Sequence, residues 1–298
     1  MRILITGSNG LLGQKLVAYC RSNGIDYFAT SKGVNRNSHC PQEKYFELDI
    51  TDRSNCLALF SKMKPTHVIH TAAITNVDYC ELNPEECDLV NVKATSYLIE
   101  ASNSVQAHFQ FVSTDFVFDG KKGNYKEEDE VNPLSVYAKS KVDGEQLTRN
   151  HCKYGWSIIR TIIVYGRGEN LSRSNVIAWA KVALEKGDEI SIIDDQFRAP
   201  TFAEDLAAGC MGVIEMKEQG IYHISGPEIL SIYEIVERIA IHFSFSMQNV
   251  NRISSTTLNQ SARRPPKTGF DLTKAYSKID YSPRTLEQTL DILYLKNK

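Results

Sequence analysis

Two groups of residues that could catalyse acid–base chemistry on a carbonyl follow one another along the chain. Tyr137 and Lys141 lie four positions apart, so on a helix their side chains share one face. A free tyrosine has a pKa near ~10 and is a poor acid–base catalyst at neutral pH. A neighbouring ammonium group lowers that pKa because it stabilises the phenolate. The spacing therefore predicts Tyr137 as the proton-transferring group and Lys141 as its cationic partner.

A hydroxyl group that could polarise the same carbonyl ends the strand predicted before this helix. Ser113 and Thr114 are adjacent there, and neighbouring residues of a strand point to opposite faces. Only one of the two hydroxyls can therefore face a given site. The residue types alone leave both candidates open.

A glycine-rich turn follows the first apolar run, with the sequence Gly7-Ser8-Asn9-Gly10-Leu11-Leu12-Gly13. In a strand–turn–helix unit, the first glycine permits a tight turn and the second lets the backbone approach a pyrophosphate. The third lets the helix pack closely on the strand, and the helix N-terminus supplies amide donors for the phosphates. Because a series of strand–helix units begins here, we interpret these seven residues as a dinucleotide-binding turn rather than as ordinary turn residues.

The end of the second predicted strand indicates which dinucleotide binds. An NAD site normally places a carboxylate there to bind the ribose 2′-hydroxyl. This chain has Ala29-Thr30-Ser31-Lys32 instead, with one cation and no acid. Ser31 and Lys32 could hold a 2′-phosphate, which a carboxylate would repel, so we predict NADPH, with NADH possible. The alternative is that Lys32 is a solvated loop charge.

Short β-rich runs alternate with longer helical patterns through the first half of the chain. Strands are predicted at residues 2–6, 26–30, 45–48, 67–70, 108–113 and 157–164, and helices at 11–22, 54–63, 84–102 and 136–149. The strands are continuous apolar runs, as expected when helices cover both faces of a parallel sheet. The predicted fold class is therefore α/β, a doubly wound parallel sheet of the Rossmann type.

The pattern changes after about residue 165. Helices predicted at 175–186, 203–217 and 232–242 alternate with short strands and loops. We predict a nucleotide-binding domain over 1–165 and a smaller mixed lobe over 166–298 that binds substrate and exchanges segments with the first. The polar stretch 254–269 is interpreted as a surface loop.

Composition excludes several classes of protein. The chain has 298 residues, 42% hydrophobic and 23% charged, which argues against disorder. Its 34 basic and 36 acidic residues give a net charge of −2, so bulk charge does not favour nucleic-acid binding. No apolar run reaches the ~20 residues of a membrane helix. Seven scattered cysteines without a CxxC pair argue against a zinc site or a disulfide framework. We therefore expect the protein to be located in the reducing environment of the cytoplasm.

These motifs together resemble those of an extended short-chain dehydrogenase/reductase. Within that superfamily, Ser113-Thr114-Asp115-Phe116-Val117-Phe118-Asp119-Gly120 is similar to the dTDP-4-dehydrorhamnose reductase family. Further matches are Thr71-Ala72-Ala73, Thr75-Asn76-Val77-Asp78 and Asp195-Gln196-Phe197-Arg198-Ala199-Pro200-Thr201. The motifs occur in the family's order, and the resemblance covers nearly the whole chain.

The resemblance implies a catalytic triad of Thr114, Tyr137 and Lys141, which favours Thr114 over Ser113. Thr114 and Tyr137 would contact the substrate carbonyl, and Tyr137 would donate its proton as hydride arrives from the nicotinamide. At the cofactor the resemblance adds Asp49 and Ile50 beside the adenine, Thr71, Ala72 and Ala73 on the phosphate–ribose side, and Ile163. For a nucleotide-sugar substrate the candidate contacts are Thr75, Asp115, Phe116, Arg198 and Arg263. A homodimer is a possible assembly.

Two positions separate the related activities. Phe116 stands where nucleotide-sugar 4,6-dehydratases carry a glutamate as elimination base, so dehydration is disfavoured. Epimerases retain NAD and usually have the second-strand acid that this chain lacks. The resemblance thus implies NADPH-dependent reduction of the 4-keto group of a nucleotide-activated deoxysugar. The alternatives are another nucleotide-sugar reductase, an epimerase, or a non-catalytic NADP-binding regulatory subunit resembling the methionine adenosyltransferase β subunit.

The chain departs from the family at three places. Ile163 occupies a position that is often tryptophan, so an aromatic contact to the sugar is missing. Gln14-Lys15 stands where some relatives use an acid in a magnesium-bridged dimer, so we predict no metal. Arg198 precedes Ala199, a variant also found in relatives that are not rhamnose enzymes.

Two charged regions remain open to interpretation. Arg198, Arg263 and Arg264 suit a bidentate clamp on a substrate pyrophosphate, with solvated surface arginines as the alternative. The charged stretch 121–130 is interpreted as a mobile surface loop, with a cover over the substrate as the alternative.

Overall fold

A seven-stranded parallel sheet forms the centre of the first lobe in a computed structural model that describes residues 1–171 and 175–295. The strands are β1 (Arg2–Thr6), β2 (Asp26–Ser31), β3 (Tyr45–Glu47), β4 (His67–His70), β5 (His108–Thr114), β6 (Trp156–Thr161), β7 (Val164–Tyr165), β8 (Ile190–Ile193), β9 (Phe197–Arg198), β10 (Thr201–Phe202), β11 (Gly220–His223), β12 (Leu230–Ser231) and β13 (Val250–Ile253). Their order in the main sheet is β11-β6-β5-β4-β1-β2-β3.

Helices cover both faces of this sheet, and three further helices pack against one another in the second half of the chain. The helices are α1 (Leu11–Ser22), α2 (Arg53–Met63), α3 (Val77–Leu82), α4 (Pro84–Asp88), α5 (Ala94–Ser104), α6 (Val136–His151), α7 (Val176–Lys186), α8 (Ala203–Glu215), α9 (Ile232–Phe243), α10 (Thr273–Ile279) and α11 (Leu286–Leu290). The three further helices are α7, α9 and α11, of which α9 contacts both others. A π turn, Leu89–Lys93, joins α4 to α5. Among the described residues, none of the helices combines the length and apolarity of a membrane span.

The order of strands places a functional site at one edge of the sheet. The chain leaves β1 toward β2 on one side, whereas β4 lies on the other side of β1. Ligands of doubly wound sheets bind at such a reversal, outside the carboxyl ends of the strands. The ends of β1, β4 and β5 meet here, so the residues that follow them share one edge.

The apolar runs of the sequence form these strands because both faces of the sheet are buried. Ile3, Leu4 and Ile5 are consecutive and all fully buried, as expected in a parallel sheet between two layers of helices. The predicted α/β class is confirmed by this architecture.

The sequence prediction differs from the structure at one strand and one helix. The strand predicted over 157–164 ends at Thr161, because Ile163 has a φ of 30° and breaks the extended backbone before β7. The helix α3 was missed, since its six residues carry too short an apolar pattern to stand out from the helix that follows.

The predicted boundary near residue 165 does not separate the two lobes in space. Three two-stranded sheets, β7-β10, β9-β12 and β8-β13, belong to the region beyond it. That region then returns α8 to pack on α1, and adds β11 to the main sheet beside β6. The segment 203–223 therefore packs with the main sheet as part of the first lobe. The other described residues of this region, 166–171, 175–202 and 224–295, are called the second lobe below.

The stretch predicted as a surface loop, 254–269, is partly internal. Ala262, Pro265 and Thr268 are buried, whereas Arg263 is exposed. The reason is that this stretch packs against the residues after β5, where a Cβ on Gly120 would meet Pro265 and Pro266 at 2.7–2.8 Å.

The helix α1 lies close to the end of β1 because Gly13 has no side chain. A Cβ at Gly13 would approach the carbonyl oxygen of Gly7 at 2.4 Å and the Cα of Ser8 at 2.6 Å. These are backbone atoms of the turn, so neither can move without moving the turn itself.

We predict that Gly13→Ala destabilises the chain by about 1–3 kcal/mol through overpacking against the backbone. Gly212→Ala in α8 is a matched control, because a Cβ there meets nothing closer than 3.5 Å. That control should change stability by no more than about 1 kcal/mol, in the stabilising direction. Urea unfolding of both variants makes the comparison, and equal stabilities would contradict it.

Candidate active site

The glycine turn after β1 has the geometry of a site for an anionic group. Gly7 has a φ of 69°, and a Cβ there would meet the amide nitrogen of Ala72 at 2.7 Å. Gly10, the N-cap residue of helix α1, provides no side-chain cap, whereas Asp52, Ser135 and others cap later helices. Since uncapped amides and the helix dipole favour an anion, the first turn of α1 fits a pyrophosphate.

A buried hydroxyl supports the same fit. The Ser8 Oγ is inaccessible to solvent and makes no hydrogen bond within the described residues. Buried hydroxyls normally have a partner, since leaving one unpaired costs free energy. The turn therefore fits a dinucleotide, with Ser8 and the first amides of α1 facing it.

Asn9 ties the turn to the segment after β2. Its amide donates to the carbonyl of Val34 at 2.9 Å, and its carbonyl accepts from the Arg36 backbone amide at 2.8 Å. Its own backbone amide donates to the Ser31 hydroxyl at 3.1 Å. Asn9 thus holds the Arg36 backbone and Ser31 together after β2, a placement that sequence reasoning missed.

Lys32 is less free than the sequence suggested. Its ammonium lies 2.8 Å from the Asp49 carboxylate, although its side chain is 82% exposed. The pKa of Asp49 falls to about 2, chiefly through its hydrogen bond with Lys32. Lys32 and Asp49 therefore form one ion-paired group, and Ile50 beside it is buried.

The residues after β4 form the other wall of the turn. The Thr71 hydroxyl donates to the carbonyl of Thr6 at 2.7 Å, which links the ends of β4 and β1. Ala72 and Ala73 follow and are half-buried, whereas Thr75 is exposed. Glycine is needed at position 7 because a side chain there would meet the backbone of Ala72.

The structure separates the two candidate hydroxyls at the end of β5. The Ser113 hydroxyl points to the buried Glu145 carboxylate, to which it donates at 2.6 Å. The Thr114 hydroxyl donates instead to Asp115 at 3.0 Å and lies close enough to the Tyr137 phenol to lower its pKa against the larger effect of burial. Thr114, not Ser113, therefore lies beside the tyrosine.

Tyr137 and Lys141 face the same site from α6. The Ser135 hydroxyl caps this helix by accepting from the Ala138 amide at 3.3 Å, which places Tyr137 in the first turn. Tyr137 is 8% exposed, and burial raises the pKa of its phenol well above the usual value. The phenol is therefore protonated at neutral pH, the state required of a proton donor.

The Lys141 ammonium is buried against an aromatic ring. It lies 4.1 Å from the ring centroid of Phe111, a cation–π contact. Gly144 makes room for that ring, since a Cβ there would meet Phe111 at 2.5 Å. Burial lowers the pKa of Lys141 to about 8, although the nearby Glu145 carboxylate opposes the shift.

Two residues proposed as substrate contacts are instead committed to internal partners. Arg198 is 2% exposed and donates to the carbonyls of Phe197 at 2.7 Å, Pro265 at 2.6 Å and Pro266 at 3.3 Å. Its Nε lies 3.7 Å from the buried carboxylate of Asp115. Arg198 is therefore neither a solvated surface arginine nor a free pyrophosphate ligand, and Asp115 is its counter-ion.

The remaining substrate candidates have different surroundings. Phe116 is half-buried, with its ring edge-on to Tyr137 at 6.3 Å between centroids. Arg264 forms an ion pair with Asp78 at 2.6 Å. Arg263 is exposed, so it stays a prediction as a substrate contact.

The charged stretch after β5 is anchored rather than mobile. Tyr125 stacks on Phe118 at 4.0 Å, and its amide donates to the carbonyl of Gly269 at 2.7 Å. The Glu127 carboxylate accepts from the His223 amide at 3.1 Å. The stretch is thus fixed to the second half of the chain on both sides.

Ile163 occupies a strained backbone position between β6 and β7. A φ of 30° is rare for a β-branched residue, and such strain is concentrated at functional sites. Its carbonyl accepts from the Thr201 amide at 3.0 Å, which holds the bend in place.

A buried ion pair beside the site was also missed by sequence reasoning. Arg160 donates to Glu145 at 2.7 and 2.9 Å, and their side chains are 2% and 4% exposed. The available signal was an arginine inside the apolar run of β6, since a buried charge needs a partner.

The chain is similar to known proteins along nearly its whole length. The family described as RmlD substrate binding domain matches residues 1–296. The chain is 31% identical to a dTDP-4-dehydrorhamnose reductase of Aggregatibacter actinomycetemcomitans, with 97% of both chains covered. It is 32% identical to methionine adenosyltransferase 2 subunit beta of Xenopus tropicalis, covering 95% of this chain and 84% of that one.

Two solved structures of dTDP-4-dehydrorhamnose reductases superpose on nearly the whole chain. A dTDP-4-dehydrorhamnose reductase from Clostridium acetobutylicum superposes with a TM-score of 0.86 at 29% identity, covering 98% of both chains. A dTDP-4-dehydrorhamnose reductase from Bacillus anthracis in complex with NADP superposes with a TM-score of 0.85 at 26% identity, covering 99% of both chains.

We predict that Lys141 titrates with a midpoint near pH 8, so that it loses its charge as the pH rises through that value. The signal of its ε-carbon in an NMR titration measures this, with the exposed Lys93 as reference. Phe111→Leu removes the ring that favours the ammonium form, so the midpoint should fall further. A Lys141 midpoint above pH 10 would show that burial does not govern this group.

Proposed function

The chain belongs to the RmlD substrate binding domain family, and from this premise we propose that it reduces the 4-keto group of a nucleotide-activated deoxysugar with NADPH. The substrate we propose is of the dTDP-4-dehydrorhamnose type, because several relatives of the chain are named as reductases of that compound. A cytoplasmic location is part of the proposal, supported by seven free cysteines, six of them buried.

One observation carries the proposal. Thr114 from β5 and Tyr137 from α6 lie beside each other, and Lys141 lies one turn further along α6. They stand at the carboxyl edge of the sheet, where the ends of β1 and β4 hold the glycine turn. A carbonyl reductase needs this combination of an acid, a hydroxyl and a cation beside a dinucleotide site.

The chain's own residues supply acid–base chemistry. When bound, a reduced nicotinamide dinucleotide supplies a hydride for the carbonyl carbon. Tyr137 donates its phenolic proton to the carbonyl oxygen, so that no free alkoxide forms. Thr114 holds the Tyr137 phenol in position, and the Lys141 ammonium stabilises the phenolate that remains on Tyr137.

The same site is poorly suited to dehydration. The side chain next to Asp115 is the aromatic ring of Phe116, which faces Tyr137 and can neither take nor give a proton. An elimination requires a base at the carbon next to the ketone. Reduction requires only the donor that Tyr137 provides.

A regulatory role is the second candidate function. It is favoured by the 32% identity to methionine adenosyltransferase 2 subunit beta of Xenopus tropicalis. A chain with that role alone would bind NADPH without oxidising it in the presence of the keto sugar. Turnover therefore separates the two functions.

We predict that Tyr137→Phe lowers kcat by roughly 10²–10⁴-fold, because only the proton donor is lost. The assay follows NADPH oxidation by absorbance with dTDP-4-dehydrorhamnose, against a control without sugar. The dissociation constant for NADPH should stay nearly unchanged. Tyr165→Phe is the matched control, since its hydroxyl bonds Thr289 in the second lobe. Wild-type turnover in Tyr137→Phe would exclude the mechanism.

We also predict that Lys32→Ala weakens NADPH binding by roughly fivefold while leaving NADH binding unchanged. The effect is small because the exposed Lys32 already pairs with Asp49, and exposed ion pairs contribute only about 1 kcal/mol or less. Lys93→Ala, which breaks another exposed lysine–aspartate pair, controls for net charge. An unchanged ratio of the two dissociation constants would remove Lys32 from the 2′-phosphate site.

A further inference from the structure

Resting on the proposed function, we propose that Arg198 and Thr268 of the second lobe are positioning residues that act through Asp115 on the Thr114 hydroxyl. Neither side chain touches Tyr137 or Lys141 through any contact that the described residues show. Both instead fix the carboxylate that receives the proton of Thr114.

The two oxygens of the Asp115 carboxylate accept hydrogen bonds from different parts of the chain. Its Oδ1 accepts from the Thr114 hydroxyl at 3.0 Å, and its Oδ2 accepts from the Thr268 hydroxyl. The residue is 3% exposed, so water does not compete for these oxygens. With both oxygens occupied, Asp115 is a link between the two lobes rather than a free ligand for a sugar.

Arg198 supplies the charge that lets this carboxylate be buried. The two side chains are 2% and 4% exposed, and the Arg198 Nε lies 3.7 Å from the Asp115 Oδ2. A buried carboxylate without a counter-charge is costly and takes up a proton instead. If Asp115 took up a proton, its two oxygens would no longer be equivalent acceptors, because one of them would carry the hydrogen atom.

The second lobe holds Thr268 in place through Arg198 and its neighbour. The Thr268 amide donates to the carbonyl of Phe197 at 3.0 Å, and the Arg198 guanidinium donates to the carbonyls of Pro265 and Pro266. Thr268 itself is fully buried. The segment 265–268 is therefore tied to β9 by both backbone and side chain.

This attachment fixes the rotation of the Asp115 carboxylate. The terminal torsion of an aspartate side chain is soft, so a carboxylate with one partner turns easily. Fixing Oδ2 from the second lobe also fixes Oδ1 and with it the proton of Thr114. The lone pairs of the Thr114 oxygen are then left for the amide of Phe116, at 3.3 Å, and for Tyr137.

Replacing the Thr268 hydroxyl tests the proposal, because Thr268 lies outside the triad. Thr268→Val removes the hydroxyl with little change of shape, and Thr268→Ser keeps it. We expect kcat to fall roughly tenfold in the valine variant, the order of one hydrogen bond to a charged group. The serine variant should stay within about twofold of the wild type. KM for NADPH should be unchanged in both.

Two results would overturn the proposal. One is a folded Thr268→Val chain with wild-type kcat, which would show that the contact serves stability alone. The other is an equal loss of kcat in the valine and serine variants, which would show that the shape of the residue matters and not its hydroxyl.

A second measurement is independent of turnover. Thr114→Val and Thr268→Val remove two hydroxyls that both bond to Asp115 and not to each other. We expect the loss of Tm in the double variant to be smaller than the sum of the single losses. Additive losses would overturn the inference. Absence of NADPH oxidation by the wild type would instead contradict the proposed function, and the double-variant comparison would still decide this one.

Discussion

Among the ionisable side chains buried near the carboxyl edge of the sheet are six whose need for partners without water governs the arrangement around the site. They are Asp115, Tyr137, Lys141, Glu145, Arg160 and Arg198, none more than 8% exposed. Four form two ion pairs, since an unpaired buried charge is strongly destabilising. Each pair joins separate parts of the chain, α6 to β6 in one case and the end of β5 to the second lobe in the other.

The two remaining groups form no ion pair within the described part of the chain, and this gives them their chemistry. Burial keeps the proton on Tyr137 and lowers the pKa of Lys141 to about 8. The ring of Phe111 supports the ammonium without neutralising it. Proton donation thus comes from a phenol already protonated, while the lysine remains a cation available to a ribose or a phenolate.

Local patterns carried most of the information in the sequence. The glycine turn, the apolar strands and the four-residue spacing of Tyr137 and Lys141 each depend on neighbours within one strand–helix unit, so they could be predicted. Contacts between distant segments could not be. Nothing near Lys32 announced its pairing with Asp49, and nothing near Thr268 announced its bond to Asp115, 153 positions away. The burial of Arg198 could not be predicted for the same reason, because it depends on the docking of segment 265–268.

The most direct test of the proposed reduction follows one atom. A single turnover is run with NADPH that carries deuterium at the transferable position of C4 of the nicotinamide, with dTDP-4-dehydrorhamnose as the keto sugar. We expect one deuterium on C4 of the product sugar and oxidised cofactor in equal amount, measured by mass spectrometry and NMR. A sugar without deuterium, with the cofactor still reduced, would contradict it.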